Sequence, residues 1–218
     1  MSPTLLENEI AEQPAVIQRL IDQEDSNVER IASTLKGAFD YVVIAARGTS
    51  DNAARYAKYL FGAHNQLQVA LATPSLFTLY DKPPDFSHAL VIGISQSGQS
   101  PDIAAVVKEA RQQGRPTLVI TNHAGSPLAK SADHNILLRA GEEKAVAATK
   151  TYTASLVSIA LLSCFLGEDS ENLAAIQQLP NLITQTLENL RAPMQRIERY
   201  RYMEHCAVIG RGYNYATA

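Results

Sequence analysis

Apolar residues fall along this chain in two alternating rhythms. Short β-branched runs recur at "YVVIAA" (41–46), "QVALAT" (68–73), "HALVIGIS" (88–95), "PTLVIT" (116–121) and "HNILLRA" (134–140). They are apolar throughout rather than at every second position, the pattern of strands covered on both faces. Between them the spacing turns helical, from Asp51 to Phe61 and again in "IAAVVKEARQQG". Strand, loop and helix in repetition predict an α/β fold: a doubly wound, five-stranded parallel sheet flanked by helices, of flavodoxin-like type. Ligands of such sheets collect outside the carboxyl ends of the strands. Two polar loops, "RGTS" (47–50) and "SQSGQS" (95–100), lie at those ends.

Either side of this core the rhythm changes. Residues 1–35 read as an N-terminal helical segment, 36–170 as the α/β domain and 171–204 as linking helices. The closing stretch "HCAVIGRGYNYATA" parallels "YVVIAARGTSDNAARYA": an apolar strand, an Arg-Gly turn, then Asn and Ala at a helix start. Residues 205–218 are therefore expected to be the truncated start of a second domain of the same kind, with "HCAVIG" as its first strand.

Composition narrows the partners. With 218 residues, 46% of them hydrophobic, the chain can bury one sizeable core. A net charge of -3 offers no basic field, so neither nucleic acid nor an anionic membrane surface is expected as a partner. The acidic start "MSPTLLENEIAEQP" lacks the basic and apolar regions of a signal peptide. No run is read as approaching the roughly 18 apolar residues of a membrane span. A cytoplasmic protein is expected. Cys164, in a helix-like run, and Cys206, in the strand-like one, share no ligand spacing and are read as buried reduced thiols. The histidines at 64, 88, 123, 134 and 205 are scattered, so neither a metal nor another cofactor is expected.

The two loops carry the chemistry. Gly93 and Gly98 are spaced as in a nucleotide phosphate loop, but Gln99 stands where the lysine is required. "ARGTSDN" has one glycine where a dinucleotide fingerprint needs three. What remains is a set of neutral donors: Ser95, Ser97 and Ser100 with the amide of Gln96. Ser100 and Pro101 read as the N-cap and first position of a helix, whose unpaired N–H groups then face the loop. Such a site suits a small phosphate monoester. The same serines also serve as ordinary turn and cap residues elsewhere, and that reading stays open.

"ARGTSDNAA", "ISQSGQSPD" and "AGEEKAVAATKTYT", in this order, resemble the sugar isomerase (SIS) domain family over nearly the whole chain. With "EIAEQP" at the start the chain resembles the isomerase half of glucosamine-6-phosphate synthase. The resemblance implies that 36–170 is a first SIS domain, that the substrate is a sugar phosphate, and that the protein is a homodimer. It implies that Ser95, Gln96, Ser97 and Ser100 hold the phosphate, that Thr49 and Ser50 add contacts, and that Val146 and Ala147 meet the sugar through their backbone. Two positions depart from the synthase pattern, which has serine in place of Ala148 and cysteine in place of Arg47. Both departures, and the expectation that no glutaminase domain precedes Met1, point to the isomerising glucosamine-6-phosphate deaminases.

That branch implies proton transfer between C1 and C2 of an opened aminosugar phosphate with loss of ammonia. The reaction needs a carboxylate base, a ring-opening histidine and a lysine. The resemblance places these beyond Ala218, so no catalytic residue is expected here. Glu143 and Lys150 are the only candidates within the chain, and structural roles are the commoner use of such residues. The alternatives are a noncatalytic phosphosugar-sensing SIS domain and the isomerase domain of a glutamine–fructose-6-phosphate aminotransferase.

Overall fold

The computed structural model describes residues 3–194 and 196–218. The chain opens with α1 (Leu5–Ala11) and α2 (Gln13–Leu35) and then alternates. β1 (Tyr41–Ala46), α3 (Thr49–Asn65), β2 (Gln68–Leu71), α4 (Ser75–Thr78), β3 (Ala89–Ile94) and α5 (Pro101–Gln112) follow. β4 (Thr117–Thr121), α6 (Pro127–Ser131), β5 (His134–Leu137), α7 (Lys150–Gly167), α8 (Ser170–Ile176) and α9 (Leu179–Met194) complete it. Two 3-10 turns, Ile197–Tyr200 and Gly212–Ala216, lie in the C-terminal segment.

The strands form one parallel sheet in the order β2-β1-β3-β4-β5. Successive side chains of a strand point to opposite faces, so each strand feeds two apolar layers. Val42 and Ile44 of β1 join one layer with α2, α3 and α7, where Leu20, Ile31, Phe61 and Leu161 are buried. Val43 and Ala45 join the other with α5 and α6, through Ile103, Val106, Val107 and Leu128. This two-sided burial is why the strand runs are apolar at every position.

Three expectations change. "HCAVIG" forms no strand among the described residues: 203–211 carry no regular structure, and Val208 and Ile209 are exposed. A β-branched run becomes a strand only where a neighbouring edge accepts its N–H and C=O groups, and here none does. Cys206 is accordingly exposed, whereas Cys164 is buried as expected. The third concerns α7, which is long and apolar enough to cross a membrane by length and composition, although 61% of that window is buried inside the fold. It packs between α2 and α3, and its apolarity is that of a central core helix.

Candidate functional site

At the carboxyl end of β1 the chain turns through Gly48, whose φ of 57° and ψ of -133° lie in a region reserved for glycine. α3 begins immediately afterwards, which places Thr49 and Ser50 at its N-terminus. The loop after β3 turns at Gly98, with φ +63°. A Cβ at Gly98 would stand 2.1 Å from Ser126 Oγ, so this loop packs directly on the start of α6. Ser100 is the N-cap of α5 with Pro101 at the first helical position, as expected. Its hydroxyl makes no cap bond, however, and lies 3.1 Å from the Ser95 hydroxyl instead. The positive end of the α5 dipole is thus left without its side-chain cap.

A cleft of about 190 Å³ opens at this end of the sheet, lined by Arg47, Thr49, Ser50, Gln96, Glu143 and the first turns of α7. Of the residues singled out in the sequence, Thr49, Ser50, Gln96 and Glu143 are brought together here. Ser95 is buried beneath the loop. Ser97 opens onto a neighbouring cleft with Gln99, Asn122 and His123, and its Oγ accepts from the Gln99 N–H at 3.2 Å. Val146 and Ala147 are exposed and lie outside the lining, to which Ala148 contributes.

Glu143 and Lys150 are both engaged by the scaffold. Glu143 Oε1 accepts the Thr149 N–H at 3.0 Å and the Thr151 N–H at 3.2 Å, and the other oxygen accepts the Thr151 hydroxyl. It therefore satisfies orphan donors at the start of α7. Lys150 is 3% exposed and donates to Glu12 Oε2 at 2.6 Å. The loop bearing Glu143 is anchored further by buried Glu9, which accepts from the Lys144 N–H at 2.5 Å and from that of Ala145 at 3.1 Å. Gln13 accepts the Thr153 hydroxyl at 2.5 Å. The N-terminal helices thus brace one wall of the cleft.

Thr151, Tyr152 and Ser155 line the cleft without having been singled out. Their signal was the spacing in "TYTAS", which puts Thr151 and Ser155 on one helix face directly after a strand-end loop. Glu9, Glu12 and Gln13 belong to the "EIAEQP" stretch of the resemblance, but nothing in the sequence signalled their contacts with this wall, whose residues lie more than 130 positions away. Among the described residues no three His, Cys, Asp or Glu side chains gather as metal ligands.

Comparison with known proteins places this architecture. The SIS domain profile matches residues 40–163. A glutamine–fructose-6-phosphate aminotransferase (isomerizing) of Aquifex aeolicus is 33% identical over 211 residues, covering 96% of this chain and 35% of that protein. A crystal structure classed as a phosphosugar isomerase from Silicibacter pomeroyi superposes with a TM-score of 0.92 at 34% identity, covering 98% of this chain and 65% of its own. A glucosamine-6-phosphate deaminase from Thermotoga maritima shares the fold, with a TM-score of 0.74 at 18% identity over 89% of this chain and 58% of its own. The chain spans about a third of the length of the curated relatives it matches. Parallel sheet, strand-end loops and matched profile agree, and the chain belongs to the SIS domain family.

Proposed function

We propose that this chain is the phosphosugar-binding portion of an aminosugar-phosphate isomerase or deaminase, acting between glucosamine-6-phosphate and fructose-6-phosphate. One observation carries the reading: neutral donors from two strand-end loops, Thr49 and Ser50 with Gln96, open on one cleft at the starts of α3 and α7. Neutral hydroxyls and amides bind a phosphate through hydrogen bonds, and helix N-termini supply the positive potential. In this reading Ser95, Ser97 and Ser100 complete the phosphate loop, and the backbone at Val146 and Ala147 meets the sugar. Ala148 lines the cleft where a serine would add a hydroxyl, which favours the deaminase branch over the aminotransferase.

The reading separates binding from turnover. Isomerisation needs a free base and a free acid near C1 and C2. Glu143 is committed to the start of α7 and Lys150 to Glu12, which supports catalytic groups lying outside this chain. The same observation favours a second reading, a phosphosugar sensor without catalysis.

Calorimetric titration with glucosamine-6-phosphate and with glucosamine, followed by an ammonia-release assay, tests the proposal. The phosphate ester binds, the plain sugar does not, and no ammonia is released by the 218-residue chain. Equal binding of both sugars would overturn the phosphosugar reading. Turnover by the pure chain would move the chemistry back to Glu143 and Lys150.

A further inference from the structure

One charge pair stands at the mouth of the cleft, and its two members act oppositely on an anion. Arg47 follows β1 and lines the cleft beside Thr49, Ser50 and Gln96. It also lines an adjoining polar cleft of about 370 Å³, together with Asp51, Ser75, Thr78 and Asp102. Arg47 Nη1 lies 2.5 Å from Asp102 Oδ2, with the arginine side chain 70% exposed and the aspartate 14%. Asp102 occupies the first turn of α5, where the helix dipole stabilises a carboxylate. The other acid of the adjoining cleft, Asp51, is held by Arg55 at 3.0 Å.

The α5 N-terminus therefore carries a fixed negative charge beside the place where the phosphate reading puts a dianion. Unmasked, the Asp102 carboxylate repels that dianion, and Arg47 is the group that masks it. A guanidinium fork binds carboxylate and phosphate with the same donors, so the two compete for it. We propose that Arg47 is the specificity-determining ligand for the substrate's phosphate, stored on Asp102 in the empty protein and shared with the incoming dianion. This inference rests on the phosphosugar reading above. Thr49, Ser50 and Gln96 recognise oxygen atoms of either a sugar or its ester. Arg47 adds a full positive charge to the preference for the ester that the helix N-termini give, and Asp102 restrains the affinity so that the ester can leave.

The test is calorimetric titration of glucosamine-6-phosphate into the wild type, Arg47→Ala, Asp102→Asn and the double variant at one ionic strength, with a thermal melt of each. Arg47→Ala weakens binding about tenfold, the usual effect of losing a hydrogen bond to a charged group. Asp102→Asn tightens it, and the double variant recovers part of the loss because the unmasked carboxylate is gone. All four melt cooperatively, since the arginine of the pair is mostly exposed and little stability rests on it. Wild-type affinity in Arg47→Ala, or weakening by Asp102→Asn equal to that of Arg47→Ala, overturns the inference while leaving the phosphosugar reading intact. A wild type that binds no sugar phosphate overturns both.

Discussion

Gly98 shows how narrow the tolerance of a single position in the strand-end loop is. Its φ of +63° disfavours any side chain, and the Cβ of an alanine would meet Ser126 Oγ at 2.1 Å and Ser126 Cβ at 2.4 Å. Ser126 cannot retreat freely, because its hydroxyl accepts the Ala129 N–H at 3.2 Å as the N-cap of α6. Gly98→Ala is expected to cost roughly 2–5 kcal/mol, the sum of a strained backbone and an overpacked contact. Urea denaturation measures it, and a loss under 1 kcal/mol, small beside those roughly 2–5, would mean that the loop shifts bodily away from α6. The same displacement would carry Ser95, Gln96 and Ser97 with it, so any affinity of the loop falls together with stability.

At the scale of elements, the brace between the N-terminal helices and the loop after β5 makes an asymmetric prediction. Lys150 is 3% exposed, whereas its partner Glu12 is half exposed. Glu12→Ala leaves an ammonium buried without its counter-ion and is expected to cost about 3 kcal/mol. Lys150→Met removes the charge, keeps the apolar stem and leaves a carboxylate that water can solvate. Its cost is expected to stay under about 1.5 kcal/mol, as for a volume-conserving swap. Paired denaturation curves check the order, and equal losses would show that the ion pair does not govern the brace.

Elements of this kind also mark what could be read in advance. β1 was legible to the residue because Val42 to Ala45 are buried on two faces, and a short β-branched run closed by an Arg-Gly turn fits a central strand better than a helix. β5 was read as reaching residue 140, yet it ends at Leu137. Leu138 and Ala140 are still buried, but Arg139 takes φ 53° and reaches back to Glu24 at 2.6 Å, which turns the chain off the sheet. "HCAVIG" had strand composition without a strand's neighbour, and composition cannot report a missing edge. The cleft was half legible: Thr49, Ser50 and Gln96 stand in loops with a local signature, whereas the contacts by which Glu9 and Gln13 brace the α7 wall join residues more than 130 positions apart.

At the scale of the whole molecule, the two cysteines report separately on the fold. Burial, and then the nearby charge of Asp169, push the Cys164 thiol up to about 11, so it is protonated at neutral pH. Cys206 is exposed in the C-terminal segment. Iodoacetamide at pH 8 is therefore expected to label Cys206 promptly and Cys164 only as the protein unfolds; mass spectrometry of the digested protein checks this. Burial also raises Tyr56 to about 12. Both groups hold their protons more tightly when folded, so the stability linked to them is complete below pH 9.0, the ordinary thiol value, and declines as pH rises through about 11 and 12. Stability that stayed level over that range would mean that Cys164 and Tyr56 reach solvent before global unfolding.

The order in which the chain is made gives the cleft a further property. Its lining begins at Arg47 and ends at Ser155, and the strands between them are laid down as β1, β2, β3, β4, β5 but stand in the sheet as β2-β1-β3-β4-β5. A growing polypeptide on the ribosome therefore has no complete cleft until Ser155 has emerged, by which time β1 to β5 have all been synthesised. Whatever occupies the cleft can stabilise only the finished sheet, by an amount that rises with the logarithm of its concentration above Kd. Such a ligand guards the mature protein against unfolding and gives no help to a half-made one.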